Sequence, residues 1–144
     1  MTERNQKALI KKYEKKLPLE GFENYKRRLR EAPDSCYDEV ANLKTKSVAL
    51  SVILSILLGF LGIDRFYALS NKMGFIKLGV AAVAGIVAIF SLIGALAIGV
   101  VLYIYCLFDI INVVKEVKIC NYDIVNEKLH NAIAQARKTE ETAE

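Results

Sequence analysis

The feature that most constrains this chain is a long stretch without charge near its middle. No residue from Leu78 to Phe108 is charged, and a shorter uncharged run extends from Ser47 to Ile63. A helix that spans a bilayer needs roughly 20 apolar residues, within a range of about 17–25. The shorter run lies at the low limit and the longer run lies well beyond it. A soluble domain of this length cannot bury so much continuous apolar surface, so the sequence predicts an integral membrane protein.

The charged residues lie on either side of these runs. Residues 1–46 contain 12 Lys/Arg and 8 Asp/Glu, and residues 115–144 contain 5 basic and 6 acidic side chains. The intervening residues 47–114 contain only three basic and two acidic side chains. We therefore predict three parts: a basic cytoplasmic helical segment, a transmembrane domain, and a polar C-terminal helix and tail.

The N-terminal segment is predicted to form short amphipathic helices. Apolar residues recur at helical spacing up to Pro18 and again up to Pro33, with lysines and arginines on the other faces. Ser35 and Asp38 fit a capping box that opens a third helix leading into the membrane segment. Basic helices beside a bilayer attract anionic headgroups, so contact of these helices with anionic lipid is one expectation, and a merely solvated cytoplasmic face is the other. No aromatic-and-glycine platform accompanies the charges, and we expect no nucleic-acid binding.

The distribution of lysine and arginine predicts the topology. Twelve precede the first run and three lie between it and the longer run, which indicates a multi-pass protein of the cell membrane with a cytoplasmic N-terminus. As one helix the longer run would measure about 46 Å against a core of about 30 Å. It therefore either crosses once with its first part bent or interfacial, or crosses twice with a tight turn near Ser91 to Gly94.

An even number of crossings keeps both basic ends on one side of the membrane. We therefore favour an all-α fold, an integral membrane helical hairpin with amphipathic cytoplasmic helical extensions. The run from Ser47 to Ile63 would be its first span, and a single crossing within Met73 to Val114 its second. Three spans are the open alternative.

No pattern in the chain predicts catalysis or a metal centre. Cys36, Cys106 and Cys120 lack the spacing of a disulfide framework or a metal site. His130 has no nucleophile or carboxylate constellation around it in the sequence, and no phosphate-binding glycine loop is present. We therefore predict no catalytic residue, no cofactor, no metal and no enzymatic activity.

Three motifs in the apolar region share a pattern with a known family. They are G-F-L-G-I-D-R-F-Y at 59–67, G-F-I-K-L at 74–78 and Y-C-L-F-D-I-I at 105–111. Together they resemble the two-transmembrane-helix domain family, whose first helix ends in (H/D)-R-F-Y-x-G and is followed by G-x-x-K-L and a late aspartate. The resemblance covers about half of the chain, Ser47 to Val114. It implies a membrane hairpin without catalytic residues.

The chain departs from the family pattern at two places. Ala68 and Leu69 follow the F-Y pair where the pattern has a glycine, so the turn geometry is expected to differ. The interval from Lys77 to Asp109 is longer than the family's single-helix spacing, which leaves the number of spans open.

The candidate functional motif consists of charged and aromatic residues near the ends of the apolar runs. Its members are Asp64, Arg65, Phe66, Tyr67, Lys77 and Asp109. A charge at the bilayer centre costs about 2.5–3.5 kcal/mol on insertion scales. Asp64 and Arg65 avoid this cost at a turn, where the two aromatic residues anchor the boundary. Asp109 is followed by further apolar residues and should face protein or water. With three spans it could pair with Arg65, whereas in a simple hairpin the two would lie at opposite ends.

Small residues recur at a spacing of four within the longer run. They form two sets, Ala81 with Gly85, and Ser91 with Ala95 and Gly99. This spacing lets helices approach closely, either within the chain or in a homo-oligomer. The sequence thus favours a non-enzymatic helix-packing or interaction module in the lipid bilayer. The alternative is an oligomeric channel or transport component with Asp109 in the path.

Overall fold

The structure, a computed structural model, describes residues 1–142, and every regular element in that range is helical. The α-helices are α1 (Glu3–Tyr13), α2 (Leu19–Glu31), α3 (Tyr37–Ala41), α4 (Val48–Leu58), α5 (Ile63–Tyr67), α6 (Asn71–Phe90) and α7 (Leu92–Glu141). Two 3-10 helices, Asp34–Cys36 and Gly59–Leu61, precede α3 and α5. The predicted all-α fold is confirmed.

The chain divides into two compact units. Ser47–Val117 form the membrane unit, and Met1–Lys46 together with the chain from Lys118 onward form the polar unit. Helix α7 contributes its first part to the membrane unit and the remainder to the polar unit. It continues to Glu141 through much of the predicted C-terminal tail, and residues 143 and 144 of that tail lie outside the described residues.

The polar unit is built as a water-soluble helical domain. Its core consists of apolar side chains from α1, α2, α3, α7 and the connections after α1 and α2, namely Leu9, Tyr13, Leu17, Phe22, Tyr25, Leu29, Ala32, Val40, Val125 and Leu129. The hydroxyl of Tyr13 donates to the carbonyl of Val40 at 2.6 Å, and the ring of Tyr25 meets that of Tyr13 edge-on at 5.8 Å. Burial raises the pKa of Tyr13 to about 12. The pKa of Tyr25 is raised as well, first by burial and then by the neighbouring Tyr13.

The predicted capping box does not form. Ser35 lies within a 3-10 helix, and α3 begins without a side-chain cap. Helix α3 ends at Ala41, so it does not run into the membrane segment as expected. Ser47 caps α4 instead, because its hydroxyl accepts the backbone N–H of Leu50 at 3.3 Å.

Asn121 fixes the last residue of the N-terminal segment to α7 within the polar unit. Its side-chain oxygen accepts the N–H of Lys46 at 2.7 Å. Its side-chain nitrogen donates to the carbonyls of Lys46 at 3.0 Å and Lys16 at 3.3 Å. Asn121 is fully buried, and these bonds satisfy its amide.

The apolar run predicted as a first span is instead a short helical segment that folds back on itself, and we call it the re-entrant loop. Helix α4 has 11 residues, about 16 Å, and is too short to cross a bilayer core of about 30 Å. The chain reverses at Gly62, whose φ of +75° suits glycine and where a Cβ would overlap the carbonyl of Gly74. It returns through α5 until the hydroxyl of Tyr67 accepts the N–H of Ser47 at 2.8 Å. This hydrogen bond joins the end of the loop to its beginning.

The longer apolar run divides into two helices at Ser91. Ser91 is extended, with φ −153° and ψ 106°, and its hydroxyl accepts the N–H of Gly94 at 3.2 Å. Both α6 and the apolar part of α7 are long and apolar enough to cross a bilayer. Of the two arrangements left open by the sequence, the structure has the tight turn. A hairpin is present, but it consists of α6 and α7 and not, as predicted, of the Ser47–Ile63 run and a single later crossing.

Candidate functional site

Four charged side chains are buried together in the membrane unit. Asp64 is 0% exposed, Lys77 and Asp109 are 2%, and Arg65 is 3%. Helix α5 contributes Asp64 and Arg65, α6 contributes Lys77, and α7 contributes Asp109. We call these four residues the ionic cluster. Lys77 lies 14 residues before Ser91, about 21 Å along α6, so the cluster is at the end of the hairpin away from its turn.

Asp109 is the most heavily bonded member of the ionic cluster. Arg65 binds it through two nitrogens, Nη2 to Oδ1 and Nε to Oδ2, the latter at 2.9 Å. The ammonium of Lys77 lies 2.8 Å from Oδ2, and Asn112 donates to Oδ1 at 3.3 Å. Both oxygens of this carboxylate are therefore occupied by donors of the same chain.

Asp64 is bonded through one oxygen only. Its Oδ2 accepts the Lys77 ammonium at 2.9 Å and the hydroxyl of Ser55 at 3.2 Å. Its Oδ1 is buried without a partner among residues 1–142. Lys77 therefore bridges the two aspartates.

Glu116 extends the ionic cluster at its edge. One of its oxygens lies 2.5 Å from Nη1 of Arg65, and its side chain is 35% exposed. Within the cluster itself two cations face two anions, so the buried charges balance.

This mutual pairing accounts for how the charges tolerate burial. An isolated ion removed from water costs several kcal/mol even after relaxation, and the cost is offset only by close partners with satisfied hydrogen bonds. Because its members come from the loop, α6 and α7, the ionic cluster also joins these three parts. These polar contacts therefore stabilise the packing of the loop, α6 and α7 inside an otherwise apolar unit.

The structure brings Arg65 and Asp109 together although the spanning part is a hairpin. The pair was expected only with three spans, because Ser47–Ile63 was taken to cross the bilayer. The re-entrant loop turns back at Gly62, so Arg65 remains beside the end of the hairpin where Asp109 lies.

The two aromatic members of the motif pack at the base of the loop. The ring of Phe66 meets that of Phe75 edge-on, with centroids 5.0 Å apart, and lies against Gly74. Tyr67 bonds Ser47 as described above. Both contacts hold α5 against its neighbours.

The loop and α6 match a known family as a contiguous segment. Residues 44–96 match the TM2 domain. The resemblance stated from the motifs is thereby confirmed over this part of the chain. No curated protein and no solved structure matches the chain. With the TM2 domain and two long apolar helices, the chain is a small membrane protein.

The TM2 segment contains three members of the ionic cluster and lacks the fourth. Asp64, Arg65 and Lys77 fall within it, whereas Asp109 lies beyond its last residue, as does Glu116. Its cations are thus neutralised in part by α7, outside the matched segment.

The turn after the D-R-F-Y motif of the TM2 segment has a left-handed residue. Leu69 has φ +67°, a conformation that leucine rarely adopts and glycine adopts freely. This is the position at which the family pattern has glycine. The turn therefore keeps a geometry suited to glycine, with leucine in it.

Sequence analysis missed several polar members of the site. Ser55 bonds Asp64, and the nearby Ser51 is also buried, with its hydroxyl bonded to the carbonyl of Val48. The spacing of four from Ser47 through Ser51 and Ser55 to Gly59 would have indicated this buried face of α4. Glu116 and Asn112 had no comparable signal, because their partners are distant in the chain.

The predicted packing residues are largely unused inside the chain. No atom lies within 4 Å of a Cβ built at Gly85 or Gly99. Ala81 and Ala95 are half-buried, and Ser91 is exposed at the turn between the helices. The described part of the chain does not exploit the close approach that the two glycines allow.

Proposed function

We propose that this TM2-domain protein is a non-enzymatic interaction module that self-associates in the bilayer through α7. The observation that carries the proposal is the open space at Gly99. Small residues at a spacing of four favour close helix packing. Among residues 1–142, no atom outside the local helix backbone lies within 4 Å of a Cβ built at Gly99. A helix of a second copy would supply the missing contact.

The surroundings of Gly99 support a helix as the occupant. A groove of about 380 Å³ runs along α7 at this position. It is lined by Leu92, Ala95, Leu96, Gly99, Val100, Tyr103 and Ile104. Ridges of large residues beside small ones are the surface that a second helix fits by interdigitation.

The test is energy transfer between labelled copies of the full chain in vesicles. Cys120 carries the donor or acceptor after Cys36 and Cys106 are replaced. Gly99→Leu should weaken association by about tenfold, equivalent to about 1.4 kcal/mol, because the added side chain would keep the two helices apart. Gly79→Leu is the matched control, because Gly79 on α6 is also open and lies outside the proposed face.

Two outcomes would contradict self-association through α7. One is transfer in the wild-type chain no greater than that of unassociated proteins at the same density. The other is an equal loss in the Gly99 and Gly79 variants, which would indicate a general effect of bulk.

The channel or transport alternative has weaker support. Asp109 would line the path, yet Arg65, Lys77 and Asn112 occupy both of its oxygens. Ion flux into vesicles that is abolished by Asp109→Asn, in a variant that still folds, would favour this alternative over the interaction module.

We also propose that the protein resides in the cell membrane with both ends in the cytoplasm. An even number of crossings by α6 and α7, together with the excess of Lys and Arg outside the apolar runs, supports this orientation. A membrane-impermeant thiol reagent should label Cys120 only after cells are opened, with the other two cysteines replaced. Labelling of Cys120 in intact cells would contradict the proposed orientation.

A further inference from the structure

We propose that a group of lysines in the polar unit binds anionic phospholipid headgroups. The lysine collar consists of Lys12, Lys15, Lys16, Lys44, Lys46 and Lys118. None of these lysines belongs to the self-association face proposed on α7.

Contacts around Asn121 bring the three segments of the lysine collar together. The Asn121 side chain binds the backbone of Lys16 and of Lys46, and Lys118 lies one helical turn before it on α7. The ammonium of Lys16 also donates to the hydroxyl of Thr45 at 3.1 Å, and Lys12 donates to the carbonyl of Ala41. Three segments that are distant in sequence, each with at least one lysine, are therefore neighbours in the fold.

The positive charge of the protein is concentrated in these segments. Residues 12–18, 42–46 and 118–122 contain six lysines and one acidic residue, Glu14, a net charge of +5. The whole chain has a net charge of +4, so the remaining residues sum to −1. These three segments are therefore strongly basic, as residues 26–30 of α2 also are.

The position of the lysine collar in the chain indicates a lipid surface as the partner. Lys46 is followed by Ser47, where the membrane unit begins, and Lys118 follows Val117, where it ends. A residue adjoining a membrane-embedded unit lies at the level of the headgroups. Basic side chains at that level are attracted to anionic lipid.

The use of lysine, and not arginine, indicates that this surface responds to the negative charge of the lipid and not to the structure of one headgroup. All six members are lysine, whereas the arginines of the polar unit, Arg4, Arg27, Arg28, Arg30 and Arg137, lie in other segments. Lysine acts as a flexible point charge, while arginine favours planar, bidentate binding. We therefore expect phosphatidylglycerol and phosphatidylserine to bind about equally, with strong sensitivity to salt.

The experiment measures the preference of the full chain for anionic lipid. The protein is reconstituted in phosphatidylcholine bilayers with trace spin-labelled phosphatidylglycerol or phosphatidylcholine, and the motionally restricted fraction gives their relative association constant. Each lysine contributes at most about fivefold near an anionic lipid surface, before averaging over the surrounding lipids. Lys15→Gln with Lys44→Gln should lower the preference at least about twofold, since both side chains are exposed.

The control variant removes the same charge elsewhere in the polar unit. Arg30→Gln with Lys138→Gln also replaces two exposed basic residues and should leave the preference unchanged. Salt at about 1 M, where the Debye length is about 3 Å, should abolish the preference of the wild-type chain. No preference in the wild-type chain, or equal losses in the two variants, would overturn the assignment.

Discussion

The two units of this protein have opposite interiors. The polar unit buries Leu9, Leu29 and Val40 and exposes its charged residues. The membrane unit buries Asp64, Lys77 and other charged groups while exposing large apolar residues, among them Phe90 at 84% and Ile93 at 83%. Each unit places outward what its solvent accepts, water in one case and hydrocarbon in the other.

This difference changes what holds each unit together. Burying apolar surface removes it from water and stabilises the polar unit. In lipid that gain disappears, because hydrocarbon chains are as apolar as leucine, and packing and polar contacts must hold the helices. The ionic cluster is therefore the counterpart, in the membrane unit, of the apolar core of the polar unit.

The largest effect is expected from removing one ion of the cluster. Asp109→Ala leaves Arg65 and Lys77 without their shared carboxylate in a buried site. Removing one partner of a buried pair costs about 3–5 kcal/mol. Thermal unfolding of the purified protein in detergent should show a correspondingly lower midpoint, with early exposure of the membrane unit to protease.

Phe108→Ala supplies the control on the adjacent residue. Phe108 is 74% exposed, so its truncation removes contact with detergent or lipid and should change stability by less than about 0.5 kcal/mol. If the two variants lost stability equally, the polar interior of the membrane unit would not be its main source of cohesion.

The contrast between the units could be predicted only in part from the sequence. The uncharged runs identified the membrane class, and the spacing of apolar residues identified the amphipathic helices. The break at Ser91 had no charge or proline to mark it, so the sequence favoured a single crossing in place of two helices. The re-entrant loop depends on Gly62 approaching Gly74, a tertiary contact.

The ionic cluster illustrates the same limit. Arg65, Lys77 and Asp109 were singled out because charges next to apolar runs are costly. Their pairing could not be derived, because Arg65 and Asp109 are 44 positions apart and meet only after the loop reverses. Local patterns identified the residues, while the path of the chain decided their contacts.

Two tyrosine variants, with smaller expected effects, test whether the polar unit tolerates an unpaired polar group in its apolar core. Tyr13→Phe removes the hydrogen bond to Val40 and should destabilise this unit by about 1 kcal/mol. The hydroxyl of Tyr25 is buried without a partner among residues 1–142, so Tyr25→Phe should be neutral or slightly stabilising. Urea unfolding followed by circular dichroism measures both, and equal destabilisation would contradict the assignment.

The two tyrosines also predict a dependence on alkaline pH. Burial raises the pKa of Tyr13 from 10.0 to about 12, so the folded state keeps a proton that the unfolded state releases. This contribution to stability is fully present below about pH 10 and is lost as the pH rises through about 12. Tyr13→Phe should make the unfolding free energy less sensitive to pH over that window.

The smallest effect concerns backbone geometry in the membrane unit and has opposite signs at two leucines. Leu69 and Leu57 are both 64% exposed, but Leu69 has a left-handed φ of +67° and Leu57 lies within α4. Leu69→Gly relieves a strain of about 1–2 kcal/mol, partly offset by the greater flexibility of glycine when unfolded, and should raise stability by up to about 1 kcal/mol. Leu57→Gly should lower it by about 1 kcal/mol, because glycine is unfavourable within a helix. Thermal unfolding in detergent compares the two directly. Both variants remove an equally exposed leucine side chain. If both changed the unfolding temperature in the same direction, the loss of the side chain, and not the turn geometry, would determine the result.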